Sequence, residues 1–194
     1  MIYQRHIPDD ELFSAQLEMM MQSGRVATLS SHLVGVAATL LLFWSYVGAL
    51  NILLWAAVFL IVLLIRSLLM SNALVEHRYR TQARRVFWQL VIGAGCTGAV
   101  WAAVYIYAAS RVPVTAQYVF LLLIVMITAF SVGVNVIIRE YFLAYLFTSL
   151  WPIAWWSLVH YWEQPHNLLI GLSPVSYTHL RAHETNESIS YAVF

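Results

Sequence analysis

Three polar side chains stand within or near stretches that are otherwise apolar: His32, Asn135 and His160. An ionisable or strongly hydrogen-bonding group inside a membrane span is costly, so each is a candidate for sensing a ligand or for holding helices together. His32 lies in SSHL, where Ser30 and Ser31 are placed to help satisfy its ring. Asn135 lies in SVGVNV beside Ser131 and Gly133, a setting suited to an interhelical hydrogen bond. His160 falls near the end of an apolar run, where water can reach it. For all three, structural hydrogen bonding is the simpler role.

Other patterns that suggest chemistry lack the context they need. Gly93, Gly95 and Gly98 spell G-x-G-x-x-G, but a dinucleotide site needs a preceding strand and an acid about twenty residues on. Here the motif is inside an apolar segment, and Tyr118 and Val119 stand near that distance. The spacing of Ala94, Gly98 and Ala102, every four residues, instead gives one helical face small enough for a neighbouring helix to approach closely. Cys96 is the one cysteine, so no intrachain disulfide forms, and apolar surroundings leave its thiol inert. No acid falls within an apolar segment, so paired-carboxylate and two-metal schemes lack ligands. No motif marks a serine as a nucleophile for His32. The expectation is no catalytic residue, no metal site and no cofactor.

The elements that must position these residues follow from composition. Of 194 residues, 61% are hydrophobic and 10% charged, with a mean hydropathy of +0.74. A core of this size cannot hide so much apolar surface, so lipid is the expected solvent. A net charge of +1 argues against nucleic acid as a partner. Residues 1–25 read as an amphipathic lead, with a helix starting at Pro8-Asp9-Asp10-Glu11 and lying at the membrane surface or packed on the spans. The N-terminus lacks the basic start and short apolar run of a cleavable signal peptide. Five spans are expected at 26–46, 50–70, 87–109, 116–138 and 141–162, with a sixth beginning at 168 and incomplete by 173. Pro152 lies inside the fifth and predicts a kink.

Arginine placement gives direction. With the N-terminus in the cytoplasm, Arg5, Arg25, Arg78, Arg80, Arg84, Arg85 and Arg139 are inside, Arg66 can snorkel to the same side, and Arg111 is outside. Trp44, Tyr46, Trp55, Tyr105, Tyr107, Tyr118, Trp155, Trp156, Tyr161 and Trp162 map to the outer half, as an interfacial belt would. The basic loop 71–86 is primarily the topology signal, and it also suits anionic headgroups.

After Pro174 the composition changes. VSYTHLRAHET resembles the translation of a transposon-based sequencing adapter, and the final ISYAVF matches the adapter's continuation, with Asn186, Glu187 and Ser188 as a sample index between them. Residues 174–194 are therefore expected to be non-native. That removes His179, His183 and Glu184 as a metal motif and Asn186-Glu187-Ser188 as a glycosylation sequon.

Over 12–173 the segment order resembles the multi-span, MASE-like N-terminal sensor regions of bacterial signalling proteins. The resemblance rests on QLEMMMQSGRVATL, on GAGCTGAVWAAV, and on YVFLLLIVMITAFSVGVNVIIREYFLAYLFTSLWPIAWW followed by a polar break and LLIGL. It implies a module that senses or anchors and passes a signal to a cytoplasmic diguanylate cyclase (GGDEF) or histidine kinase domain beyond 173. No catalytic residue carries over.

The reading is thus an all-α, polytopic transmembrane helical bundle of the bacterial inner membrane. It has five full spans, a truncated sixth and a cytoplasmic N-terminus. The chain as given is not an enzyme. Its partners are the lipid bilayer and, by analogy with signalling proteins, a second copy through the spans. The alternative is a small multi-pass transporter or channel subunit, hinted at by Pro152 and the glycines of the third span.

Overall fold

The computed structural model describes the backbone of residues 9–135 and 138–161, with the side chains of 10–130 and 138–161. Every regular element among the described residues is helical: α1 (Asp9–Val47), α2 (Ala49–Val75), the short α3 (Arg78–Thr81), α4 (Ala83–Ala109), α5 (Val114–Asn135) and α6 (Arg139–Tyr161). Four of them, α1, α2, α4 and α6, are long and apolar enough to cross a membrane, and α5 has a shorter apolar stretch, Val114–Phe130. The outward faces are apolar too, with Leu41 84% and Leu50 72% exposed. Helices that are apolar on both faces need lipid around them. The expected sixth span and the tail from 174 lie outside the described residues.

The lead and the first span are one helix. At 39 residues, α1 is about 58 Å long, roughly twice the hydrocarbon thickness of a bilayer. No break separates 25 from 26, so the N-terminal part and the first span form one continuous helix. The N-terminal part extends from the bundle and packs on its arginine-rich end. Leu17, Met20 and Met21 are fully buried, Phe13 meets Phe87 at 5.7 Å between ring centroids, and Glu18 lies 3.9 Å from Arg80 of α3.

Gly48 joins α1 to α2 in a single residue, with φ 86 and ψ 132. A Cβ would clash in that conformation, so glycine is what permits so tight a reversal. The two helices then run antiparallel: Arg25 Nη1 donates to Ser71 Oγ at 3.3 Å, each residue 23 positions from Gly48. At the far end of α2, His77 turns the chain in the left-handed region with φ 50.

The most extensive packing is between α4 and α6, which are not neighbours in sequence. They run parallel, with Gly95 and Gly98 facing Thr148 and Ser149 and Tyr105 facing Trp156. Between the ends of α4 and α5, buried Gln117 forms a knot. Its Nε2 donates to the carbonyls of Ala109 at 2.8 Å and Val112 at 3.4 Å. Its Oε1 accepts from the hydroxyls of Tyr161 at 2.9 Å and Tyr105 at 3.5 Å.

Candidate functional site

The small face of α4 sits against α6. Ala94 and Ala102 are buried, and Gly98 is where the backbones meet. A β-carbon on Gly98 would come within 2.6 Å of the Tyr145 carbonyl oxygen and 3.0 Å of the Ser149 nitrogen, and would also strike Thr148 Oγ1. Gly93 faces the stem of Arg66 instead, its would-be β-carbon 3.5 Å from Arg66 Cγ. One glycine therefore admits a helix and another admits an arginine side chain.

That arginine is the residue the sequence reading misplaced. Arg66 does not snorkel out. It is 5% exposed, turned into the bundle from α2. Its Nη1 donates to Thr97 Oγ1 at 3.3 Å, and Thr97 in turn donates to the Gly93 carbonyl at 2.8 Å. The guanidinium lies 5.1 Å from the centroid of the Tyr141 ring, a cation–π contact with α6. Its Nε has no hydrogen-bond partner. Among the described residues no carboxylate neutralises it, since the ion pairs there are Arg78–Glu76 and Arg80–Glu18. The signal available in sequence was the position of Arg66 four residues inside the expected end of its span. Only the neighbouring helices decide whether such a side chain turns outward or inward.

Further along the bundle, His32 of α1 is buried against Trp101 of α4. The indole Nε1–H donates to His32 Nδ1 at 3.3 Å. An indole can only donate, so Nδ1 accepts and a neutral ring carries its proton on Nε2. Phe59 and Tyr145 close on the same ring at 5.7 and 5.8 Å between centroids. Ser30 and Ser31 do not help: their hydroxyls donate back to the carbonyls of Ala27 and Thr28, both at 3.0 Å. Trp101 is the hub of the aromatic cluster, with Phe59 at 4.8 Å, Trp55 at 5.5 Å and Phe120 at 5.9 Å. It fits because Gly35 leaves room; a β-carbon there would lie 3.0 Å from the Trp101 ring and 2.5 Å from Ile127 Cδ1.

One expected belt aromatic belongs to the interior: Tyr105 is fully buried. Trp55 is half-buried and donates its indole N–H to the Val100 carbonyl at 3.0 Å. Trp44, Tyr46, Tyr107 and Trp155 do face outward, while Trp162 lies outside the described residues.

The remaining sequence candidates do not join this cluster. His160 is exposed, bonds to the Trp156 carbonyl at 2.9 Å and stacks on the Trp156 ring at 4.1 Å. Asn135 is the last residue of α5, and its side chain lies outside the described residues. Pro152 is contained within α6, where its missing N–H leaves the Thr148 carbonyl without the usual helical donor. Cys96 is exposed on α4. No group of three or more His, Cys, Asp or Glu suited to a metal occurs among the described residues.

The arrangement is an interior polar track through an apolar bundle: Arg66, Thr97, Tyr141, Tyr145, Thr128 and His32, contributed by α1, α2, α4, α5 and α6. Two of its atoms, Arg66 Nε and the Tyr141 hydroxyl, are buried without a hydrogen bond, while the hydroxyls of Tyr145 and Thr128 pair with each other. Each such group costs about 1–3 kcal/mol relative to a paired one. Comparison of the chain with family models, with curated proteins and with solved structures finds no match.

Proposed function

We propose that the chain is a membrane-embedded sensory or anchoring input module, with its N-terminus in the cytoplasm of a bacterium. In this reading it controls a cytoplasmic output domain, a diguanylate cyclase or histidine kinase, encoded beyond Ser173. The observation that carries it is the interior polar track. Buried donors left unpaired give a stimulus something to act on, since a small helix shift that pairs them would be favoured. A stimulus that favours one packing then moves α6 relative to α4. In this reading α6 leads to a sixth span, which returns the chain to the cytoplasm and the output domain.

The arginine asymmetry supports the direction, since seven of the eight basic residues assigned to the inner side stand outside the expected spans, Arg66 being the exception. Five complete spans plus a sixth belong to the same reading. A second reading, a small transporter or channel subunit, draws on Arg66, because an unneutralised interior cation suits the path of an anion.

Sequencing the source DNA across the junction at 174 tests the proposal. A sixth span followed by a soluble signalling domain is the expected result. Additional spans and a stop codon would favour transport, and persistence of VSYTHLRAHET in an adapter-free read would remove the truncation argument. Cysteine accessibility in intact cells tests the orientation: residues placed at 80 and 111 should label from opposite sides.

A further inference from the structure

Arg66 shares a cleft with a second arginine that also lacks an acid. The cleft lies between the antiparallel α1 and α2, lined by Arg25, Thr28 and Leu29 on one side and Leu63, Arg66, Ser67 and Met70 on the other. Arg25 is exposed at its mouth, and its Nη1 donates to Ser71 Oγ. Neither arginine is in an ion pair with any described carboxylate, and Arg66 is buried with its Nε unpaired.

We infer that this cleft is a binding site for the phosphate of an anionic phospholipid at the arginine-rich end of the bundle. Arg25 offers its guanidinium at the mouth, Arg66 its unpaired Nε within, and Ser67 a hydroxyl, donors suited to phosphate oxygens. The free volume is about 10 Å³, roughly that of one water, so it admits an oxygen at the mouth and not a whole organic ligand. Val26, Leu64 and Leu68 flank it outward, so acyl chains have an apolar surface to lie on. Arg25 borders the first apolar segment and Arg66 is about 6 Å inside the end of the second, which places both near the headgroup boundary. A net-anionic headgroup is preferred because a choline would bring a third cation beside two unneutralised arginines. This inference rests on the membrane reading alone and is independent of any output domain.

Native mass spectrometry of the purified, delipidated chain tests it, with phosphatidylglycerol, phosphatidylcholine and inorganic phosphate titrated separately. One phosphatidylglycerol should be retained in preference to phosphatidylcholine. Arg25→Gln should weaken it about tenfold, the loss of one charge-assisted hydrogen bond, and Arg66→Gln at least as much. The double variant Arg84→Gln/Arg85→Gln, at the exposed start of α4, should bind as the parent does. If Arg66→Gln does not fold, exposed Arg25 carries the test. Equal retention of the two lipids, no effect of Arg25→Gln, or an equal loss from the Arg84/Arg85 variant overturns the site. Retention of inorganic phosphate without lipid overturns the lipid assignment in favour of a dissolved anion.

Discussion

Gly98 of α4 and Tyr145 of α6 meet backbone to backbone: a β-carbon on the glycine would stand 2.6 Å from the tyrosine carbonyl oxygen. Carbonyl oxygen cannot swing aside as a side chain can. Gly98→Ala is therefore expected to push the helices apart and destabilise the protein by about 1–3 kcal/mol. Gly95→Ala is the control, because its β-carbon would sit an ordinary 3.7 Å from Thr148 Cγ2. Thermal unfolding in detergent should separate the two; equal midpoints would show that α4 and α6 are not so close.

Removing the hydroxyl of Tyr141 should be tolerated. Its oxygen is buried without a hydrogen bond, so Tyr141→Phe removes a desolvated group and keeps the ring. The variant is expected to fall within about 1 kcal/mol of the parent, or above it. Tyr145→Phe, which takes a partner from Thr128, should cost about 1 kcal/mol. A marked loss in Tyr141→Phe, measured by thermal unfolding in detergent, would mean that its hydroxyl is paired in the membrane.

Gln117 behaves oppositely. Gln117→Leu leaves two carbonyls and two tyrosine hydroxyls without their partner, and a loss of about 2–4 kcal/mol is expected. Tyr161→Phe removes one of these bonds and should cost about 1 kcal/mol. Chemical denaturation in mixed micelles would rank them, and a reversed order would refute the knot.

Trp101→Ala should cost about 3–5 kcal/mol, as for other large buried aromatics. Trp101→Phe keeps most of the packing but leaves His32 Nδ1 without its donor, so a smaller loss of about 1–2 kcal/mol is expected. Were Trp101→Phe as damaging as Trp101→Ala, the hydrogen bond and not the aromatic packing would hold the cluster together.

Pro152→Ala restores an N–H facing the Thr148 carbonyl. The variant should unfold at a higher temperature than the parent, since an interior helical proline costs about 3 kcal/mol. A lower midpoint would mean that α6 packs on α4 through a bend the proline imposes.

How much was legible in sequence varies residue by residue. The small face of Ala94, Gly98 and Ala102 was legible because a four-residue repeat fixes one side of a helix whatever lies beyond it. His32 could be marked as a candidate because polarity in an apolar run is visible locally. Its donor was not, since Trp101 lies 69 residues away and the nearby serines bond to their own helix. Gln117 gave no signal, because it stands at a loop edge where a polar residue is unremarkable. Gly35 was equally silent, as its role depends on a ring from another helix.

By itself, the sequence determined the medium and the elements. Apolar runs of bilayer length, cut by arginine clusters and short polar breaks, leave long membrane helices as the way to satisfy the backbone. Tertiary structure decided which faces meet, and so turned Arg66 from a residue expected to reach water into an interior cation. The physical reason is that all sides of these helices are nearly equally apolar. No hydrophobic stripe selects the partner face, and close packing and polar contacts between helices select it instead.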